Sequence, residues 1–236
     1  MIQHSLEYEK QILRNKLIKT CTICQGEGWF VDKVTNEGVH CSCVKEYNYQ
    51  AKVLEHIPPQ FRYQDLNNFK DTENPAYKNI KAYIENINTK KASGRWIYLS
   101  GDNAEGEPKK GKTLLAISVL KGALRNGYSI KFCTVSDILD ADKSNDFEFK
   151  NEFKNSFKRA NFIVIDAFDS LVHNTESAKL WIAGRVMYYL ETIQRGNNIC
   201  IFTSKDILDV LSTSGKREFF EAGFLIKQKA DEFILH

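Results

Sequence analysis

The chain has 236 residues, of which 42% are hydrophobic and 27% are charged, with a formal net charge of +3 at pH 7. This length is enough for one full α/β core and one further small module. The near-balanced charge permits nucleic-acid binding without requiring it. No segment reaches the roughly 18 apolar residues of a membrane span, and the N-terminus lacks the basic-then-apolar pattern of a secretory signal. We therefore expect a cytoplasmic protein with no membrane partner.

The chain begins with a pattern typical of an amphipathic helix, from Leu6 to Ile18. Apolar residues stand at Leu6, Ile12, Leu13 and Leu17 among lysine, arginine and glutamate. Such a helix has one apolar face, and we expect this face to be able to contact a partner.

Four cysteines follow in two close pairs, Cys21-Thr-Ile-Cys24 and Cys41-Ser-Cys43. Each pair can chelate a metal from one tight turn, and the segment between them has the length of a hairpin with a turn at residues 36–38. This pattern predicts a tetrahedral Zn²⁺ site whose metal would stabilise a module too small to fold on its apolar surface alone. The alternative is four reduced thiols without metal. His40 could replace one cysteine, although an exposed neighbour is the favoured interpretation.

The function of such a zinc module is open at this point. A zinc ribbon can bind single-stranded nucleic acid or dock on a protein, and four aromatic residues could serve either purpose. These are Trp29, Phe30, Tyr47 and Tyr49. The two remaining cysteines, Cys133 and Cys200, lie in apolar strand-like segments, where we expect them to pack in a core.

Pro58 and Pro59 mark a boundary, and the residues after them alternate between helix and strand patterns. We predict helices over 75–89, 114–126 and 179–194, a short helix capped by Ser136, and a helix or loop over 143–158. Strands are predicted over 96–101, 129–135, 161–166 and 198–204. Alternation of this kind predicts a parallel sheet with its ligand at the carboxyl ends of the strands.

The segment from Trp96 to Thr113 reads as a strand, a phosphate-binding loop and a helix. Gly111-Lys112-Thr113 supplies the expected chemistry: glycine amides surround phosphates, Lys112 reaches the outer phosphates, and the Thr113 hydroxyl binds Mg²⁺. The helix after it points its positive end at the same anion. Gly106 has the usual spacing from Gly111, whereas Gly101, directly after the strand, lies about five residues too far. The loop is either stretched or preceded by a spacer.

A second candidate ligand for the metal lies on the strand over 161–166, which ends in Asp166. A carboxylate at the end of a buried strand beside the loop can hold the water shell of Mg²⁺. The sequence therefore predicts binding of ATP with Mg²⁺.

Taken in order, these motifs resemble the replicative helicase loaders of the DnaC/DnaI type and the IstB-type transposition ATPases, within the AAA+ family. Five segments carry the resemblance: Ile57-Pro-Pro-Gln-Phe, Tyr98-Leu-Ser-Gly with Gly111-Lys-Thr, Phe132 to Leu139, Phe162-Ile-Val-Ile-Asp, and Gln194 to Ser204. The resemblance implies an AAA+ P-loop NTPase core of the α/β class with a parallel sheet, preceded by the small zinc-binding module. The small size of the chain would suit an origin in a phage or mobile element.

The resemblance assigns roles to individual residues. Catalysis would rest on Lys112, Asp166 and Arg217, the last as a finger completing a neighbouring subunit's site or else as an ordinary surface arginine. The nucleotide would contact Gly101, Gly106, Gly111, Lys112, Thr113, Leu114, Asp166 and Ser204. Few residues follow Arg217, so we expect no helical lid domain and no sensor 2 arginine.

Two positions near this site depart from the family pattern. Ala167 stands where an acidic residue usually orients the attacking water, with Asp169 a possible substitute, and Lys205 stands where the family has a polar sensor. Thr203 or Ser204 would then contact the γ-phosphate. We accordingly expect at most weak ATP hydrolysis.

The resemblance also implies a division of labour. Residues 1–54 would bind a hexameric replicative helicase, and residues 55–236 would form an ATPase that self-assembles into a ring or spiral and places the helicase on single-stranded DNA. Two alternatives remain: an IstB-type transposition regulator, and a nucleotide-binding adaptor with little or no ATP turnover.

Overall fold

The computed structural model describes residues 5–101, 111–167, 176–204 and 225–235. The chain divides into two compact units, residues 1–63 and 64–236. Each unit is built from elements that the sequence pattern largely anticipates. Among the described residues, no helix combines the length and apolar character needed to cross a bilayer.

The first unit contains two helices and a hairpin. Helix α1 (Leu6–Arg14) begins at Ser5, whose hydroxyl accepts a hydrogen bond from the Tyr8 N–H, and it continues as one π-helical turn over Asn15–Lys19. Strands β1 (Trp29–Val31) and β2 (Gly38–His40) pair antiparallel, and helix α2 (Ser42–His56) follows. The predicted N-terminal helix and the hairpin between the cysteine pairs are confirmed.

Two ion pairs hold α1 against the end of α2. Arg62 Nη1 lies 2.8 Å from Glu9 Oε2, and the same guanidinium donates to the carbonyl oxygens of Leu54 and Ile57. Lys10 pairs with Glu55 on α2. These contacts join residues that are distant in sequence and lie outside the cysteine pairs.

The second unit is a five-stranded parallel sheet covered by helices. In chain order its elements are α3 (Pro75–Glu85), α4 (Ile87–Ser93), β3 (Trp96–Ser100), α5 (Lys112–Arg125), β4 (Ile130–Thr134), α6 (Val135–Lys143), α7 (Phe147–Arg159), β5 (Phe162–Asp166), α8 (Glu176–Arg195), β6 (Ile199–Thr203) and β7 (Ala230–Ile234). The strand order is β4-β5-β6-β3-β7, and all four pairings are parallel. The carboxyl ends of β3, β5 and β6 therefore meet at one edge.

The core explains why these segments form strands. Every residue of β3 and β6 is buried, as are the first four of β5, which is typical of a parallel sheet with both faces covered. One face packs Tyr98, Ile165 and Phe202 against residues of α6, α7 and α8. Cys133 and Cys200 are buried in this same cluster, which confirms the prediction that they pack in a core.

Three predictions about elements of this unit need correction. The helix expected over 75–89 is two helices, because the chain leaves helical geometry at Asn86. Ser136 is not the cap of α6: the helix begins one residue earlier, and the Thr134 hydroxyl accepts from the Asp137 N–H at 3.1 Å. The edge strand β7 is not predicted at all.

Candidate nucleotide site and metal centre

The candidate nucleotide site lies where β3 ends and α5 begins. Gly111 is the N-cap of α5, so Lys112 and Thr113 open the helix and the positive end of its dipole faces this edge of the sheet. The ammonium group of Lys112 donates to the carbonyl oxygen of Gly101 at 2.6 Å. This hydrogen bond brings together the two ends of the predicted phosphate loop.

Asp166 lies beside the same helix, at the carboxyl end of β5. Its Oδ1 atom accepts a hydrogen bond from Thr113 Oγ1 at 2.9 Å and another from Thr203 Oγ1, at the end of β6. The structure thus brings together three of the predicted site residues, Lys112, Thr113 and Asp166. A hydroxyl and a carboxylate are the hard oxygen ligands that Mg²⁺ prefers, so the donor set fits this ion.

Two glycines at the site accept no side chain. Gly101 has φ +137°, and a Cβ atom there would lie 2.3 Å from the Leu235 carbonyl oxygen. Gly111 has φ +82°, and its Cβ would lie 2.6 Å from Cε2 of Phe69. Both the left-handed backbone and the close neighbours require glycine here. Leu114 is half-buried in the first turn of α5.

The residue after Asp166 is held in an unusual conformation. Ala167 has φ +53°, a region that residues other than glycine seldom occupy, and its N–H donates to Thr203 Oγ1 at 3.1 Å. Its methyl group offers no base for an attacking water. Thr203 therefore fixes the end of β5 through two hydrogen bonds, a role that the sequence pattern does not reveal.

Ser204 differs from the threonine before it. Its side chain is 1% exposed, and within the described part of the chain its hydroxyl has no hydrogen-bond partner. An unpaired buried hydroxyl is costly, typically about 1–3 kcal/mol. Four further predicted positions, Gly106, Asp169, Lys205 and Arg217, lie outside the described residues.

The four N-terminal cysteines form one cluster. The sulfur atoms of Cys21 and Cys41 are 3.7 Å apart, those of Cys24 and Cys43 are 3.6 Å apart, and all four lie within 4.8 Å of one another. Zn–S bonds of about 2.3 Å in a tetrahedron separate the sulfurs by about 3.8 Å. The cluster is therefore compatible with Zn²⁺, and His40 is exposed beside it.

The backbone around the cluster supports thiolate ligands. The Gly28 N–H donates to Cys24 Sγ at 3.2 Å, and hydrogen bonds from the N–H groups of Cys24 and Ile23 lower the pKa of the Cys21 thiol to about 6. Burial, followed by the neighbouring thiols, raises the pKa of Cys43 to about 12. The hydrogen bonds to Cys21 favour the thiolate form, which is the form that binds Zn²⁺.

Two contacts of the site involve residues that the sequence motifs do not mark. Phe69 packs on Gly111 and stacks on Tyr77, with ring centroids 5.6 Å apart. Leu235, after β7, donates its N–H to the Ser100 carbonyl at 2.9 Å, just before Gly101. Neither residue belongs to a recognisable motif. Both reach the site only because the fold brings them next to it.

Sheet order and helix placement define an α/β fold with a five-stranded parallel sheet, and this fold matches solved AAA+ structures. The DnaC helicase loader matches with a TM-score of 0.56 and 15% identity, over 76% of this chain and 100% of that one. DnaI matches with a TM-score of 0.58 and 17% identity, over 76% and 92%.

A third similar structure is the replication initiator DnaA bound to AMPPCP and single-stranded DNA, with a TM-score of 0.55 and 18% identity. The match covers 76% of this chain and 51% of DnaA, about half its length. No protein-family model matches the sequence, and no curated protein matches it either. At these identities the likeness establishes the fold alone.

Proposed function

We propose that this protein is an ATP-dependent loader that places a hexameric replicative helicase on single-stranded DNA. One observation carries the proposal: Lys112, Thr113 and Asp166 converge at the strand ends of a fold shared with the DnaC helicase loader. The cysteine cluster in a separate compact unit adds support, since a loader needs a second surface for its partner.

ATP would bind at the carboxyl edge of the sheet. Lys112 would exchange the Gly101 carbonyl for the outer phosphates, and Thr113 with Asp166 would hold Mg²⁺, which neutralises phosphate charge. Ser204 would offer its unpaired hydroxyl to the γ-phosphate. Arg217 would complete the site of a neighbouring subunit in a ring or spiral.

The first unit would bind the helicase through α1. Tyr8 and Ile12 are half exposed on this helix, although one face of α1 already packs on α2. Exposed apolar groups on a helix are suited to contact a partner protein. Zn²⁺ on the four cysteines would stabilise the unit that presents this helix.

The helicase contact is tested by Ile12→Asp in a pull-down with the hexameric helicase. We expect Ile12→Asp to abolish capture, whereas Tyr63→Asp, at a more exposed aromatic of the same unit, should retain it. Equal capture by the two variants, or none by the wild type, would refute this part of the proposal. Capture of a transposase complex instead would favour the IstB-type regulator.

Ala167 favours a second candidate, a nucleotide-binding adaptor with little or no turnover. Ala167 follows Asp166 at the position where the family pattern has a carboxylate, and its methyl group cannot activate a water molecule. ATP would then only stabilise the interaction surface.

ATP hydrolysis with helicase and single-stranded DNA separates the two candidates. A loader should lose hydrolysis in Lys112→Ala and keep it in Lys78→Ala, whose lysine pairs with Glu73 on the surface. If the wild type hydrolyses ATP no faster than Lys112→Ala yet still binds it, the adaptor is correct.

A further inference from the structure

A groove of about 470 Å³ lies within the first unit, beside the cysteine cluster. Its size falls in the range of about 300–1,000 Å³ found for ligand sites. Its polar and aromatic lining includes Arg14, Lys19, Trp29, His40, Tyr47 and Asn48. We call it the knuckle groove.

The floor of the knuckle groove is built from glycine and apolar side chains. Gly26 and Gly28 have φ +88° and +84°, and a Cβ on Gly28 would lie 3.0 Å from Val44 Cγ2. The π-helical turn directs Ile18 inward, where it is buried, and leaves Lys19 exposed. Such turns are frequent at functional sites. The floor is thus smooth and apolar, suited to a flat ring.

Trp29 is the prominent aromatic residue of this groove. It lies on β1 directly opposite His40 on β2, and it is 53% exposed although a small module has few apolar groups for its core. Tyr47, on α2, is half-buried across the groove. Aromatic faces that are accessible in this way stack nucleobases irrespective of sequence, because every base has a π-face.

The charges around the groove favour an anion. Arg14 and Lys19 are exposed and form no ion pair with any described carboxylate, whereas Lys10 and Arg62 of the same unit are both paired. Glu27 is the one acidic residue lining the groove. Two cations beside stacked rings match the alternation of phosphate and base along a nucleic-acid strand.

We propose that the knuckle groove binds single-stranded DNA. Bases stack on Trp29 and Tyr47, Asn48 hydrogen-bonds a base edge, and Arg14 and Lys19 contact the phosphates. The choice of DNA over RNA rests on the proposed function, since the groove chemistry fits either strand. The proposal gives the first unit a DNA contact formed by residues other than Tyr8 and Ile12, which carry the proposed helicase contact.

The test measures binding of a fluorescein-labelled oligo(dT) of about 15 nucleotides to the full chain without nucleotide, by anisotropy. Trp29→Ala should weaken binding about 5- to 150-fold, the loss typical of one stacked base. Tyr63→Ala removes a more exposed aromatic outside the groove and should leave binding unchanged. Each variant is used only if it retains zinc.

The salt dependence provides a second readout. Each phosphate contact to a single strand contributes about 0.7 to the slope of log affinity against log salt, so Arg14→Ala with Lys19→Ala should reduce the slope by about 1.4. Lys33→Ala with Lys52→Ala, two exposed lysines outside the groove, should keep the wild-type slope.

Four results would overturn the proposal: no binding of oligo(dT) by the wild type, equal binding by the Trp29 and Tyr63 variants, an unchanged slope in the double variant, or tighter binding of oligo(rU) than oligo(dT). If Trp29→Ala no longer captures the helicase but still binds oligo(dT) as tightly as the wild type, the groove binds a protein and the proposal is wrong. If Ile12→Asp and Tyr63→Asp capture the helicase equally, only the loader function is refuted, so failure of that proposal can be distinguished from failure of the DNA-binding proposal.

Discussion

Replacing Gly111 by alanine should destabilise the second unit, and Gly127 supplies a matched control. The two glycines stand at opposite ends of α5, and both have φ +82°. Because the two φ angles are equal, we expect the backbone strain of an alanine to be similar at both positions. Any difference between the two variants reports the surroundings of the added Cβ atom.

The magnitudes follow from those surroundings. Nothing lies within 4 Å of a Cβ on Gly127, so Gly127→Ala should lower the free energy of unfolding by about 1 kcal/mol, the cost of left-handed geometry. At Gly111 the Cβ meets Phe69, which is buried and stacked on Tyr77. Overpacking of this kind adds about 1–3 kcal/mol. Gly111→Ala should therefore cost about 2–4 kcal/mol in total.

Urea unfolding of the nucleotide-free protein, at one fixed zinc concentration, measures the loss in free energy of unfolding for each variant. Phe69→Leu in the Gly111→Ala background should recover part of the difference, since the smaller side chain can move away, and a double-mutant cycle isolates this coupling. The reasoning is refuted if Gly111→Ala costs no more than Gly127→Ala, or if the cycle shows no coupling.

Three further predictions concern the site, the metal and a half-buried lysine, Lys131. Thr203→Val should lower the free energy of unfolding by about 2–4 kcal/mol, because two hydrogen bonds are lost and one of them is to a carboxylate. Ser204→Ala removes a hydroxyl without a described partner and should be neutral or stabilising. Comparable losses for the two variants in urea unfolding would contradict this prediction. A thiol reagent should modify no cysteine of the zinc-loaded protein and four cysteines after chelation, while the buried Cys133 and Cys200 should react only in denaturant. Four thiols that already react before chelation would exclude the metal. Burial lowers the pKa of Lys131, so the unfolded chain binds this proton more tightly than the native protein does, and the free energy of unfolding rises as the pH approaches 10.5. Lys131→Met should reduce this rise, measured as the urea midpoint from pH 8 upward. An unchanged pH dependence in the variant would contradict the prediction.

The sequence predicted the three central strands and the edge strand β4 well, and the other edge strand, β7, not at all. Strands β3, β5 and β6 are almost continuously apolar, which a covered parallel sheet produces, whereas β4 carries Lys131 and is only partly buried. In β7 the residues Asp231 and Glu232 interrupt that signal, and their carboxylates contact Arg95 and Ser100. An edge strand can carry such charges because part of it faces solvent, and its pattern then resembles a loop.

The candidate site was predictable where its residues are close in sequence. Gly111, Lys112 and Thr113 form one motif, and the cysteine pairs form another. The residue types and spacing within each motif were therefore enough to predict the phosphate loop and the metal site. The roles of Thr203 and Phe69 depend on contacts across the sheet and across α5, over separations of about forty residues. Contacts at that distance are set by the fold, and residue type alone does not reveal them.

The hydrogen bond between Lys112 and the Gly101 carbonyl bears on how the intervening segment can vary. The bond joins the residue after β3 to the first residue of α5, so the distance between the two ends of the segment is set by the fold. The entropy of closing a chain segment between fixed ends grows slowly with its length, and a doubling costs only about 0.6 kcal/mol. We therefore expect the five or so additional residues of the phosphate loop to cost little of the free energy of folding.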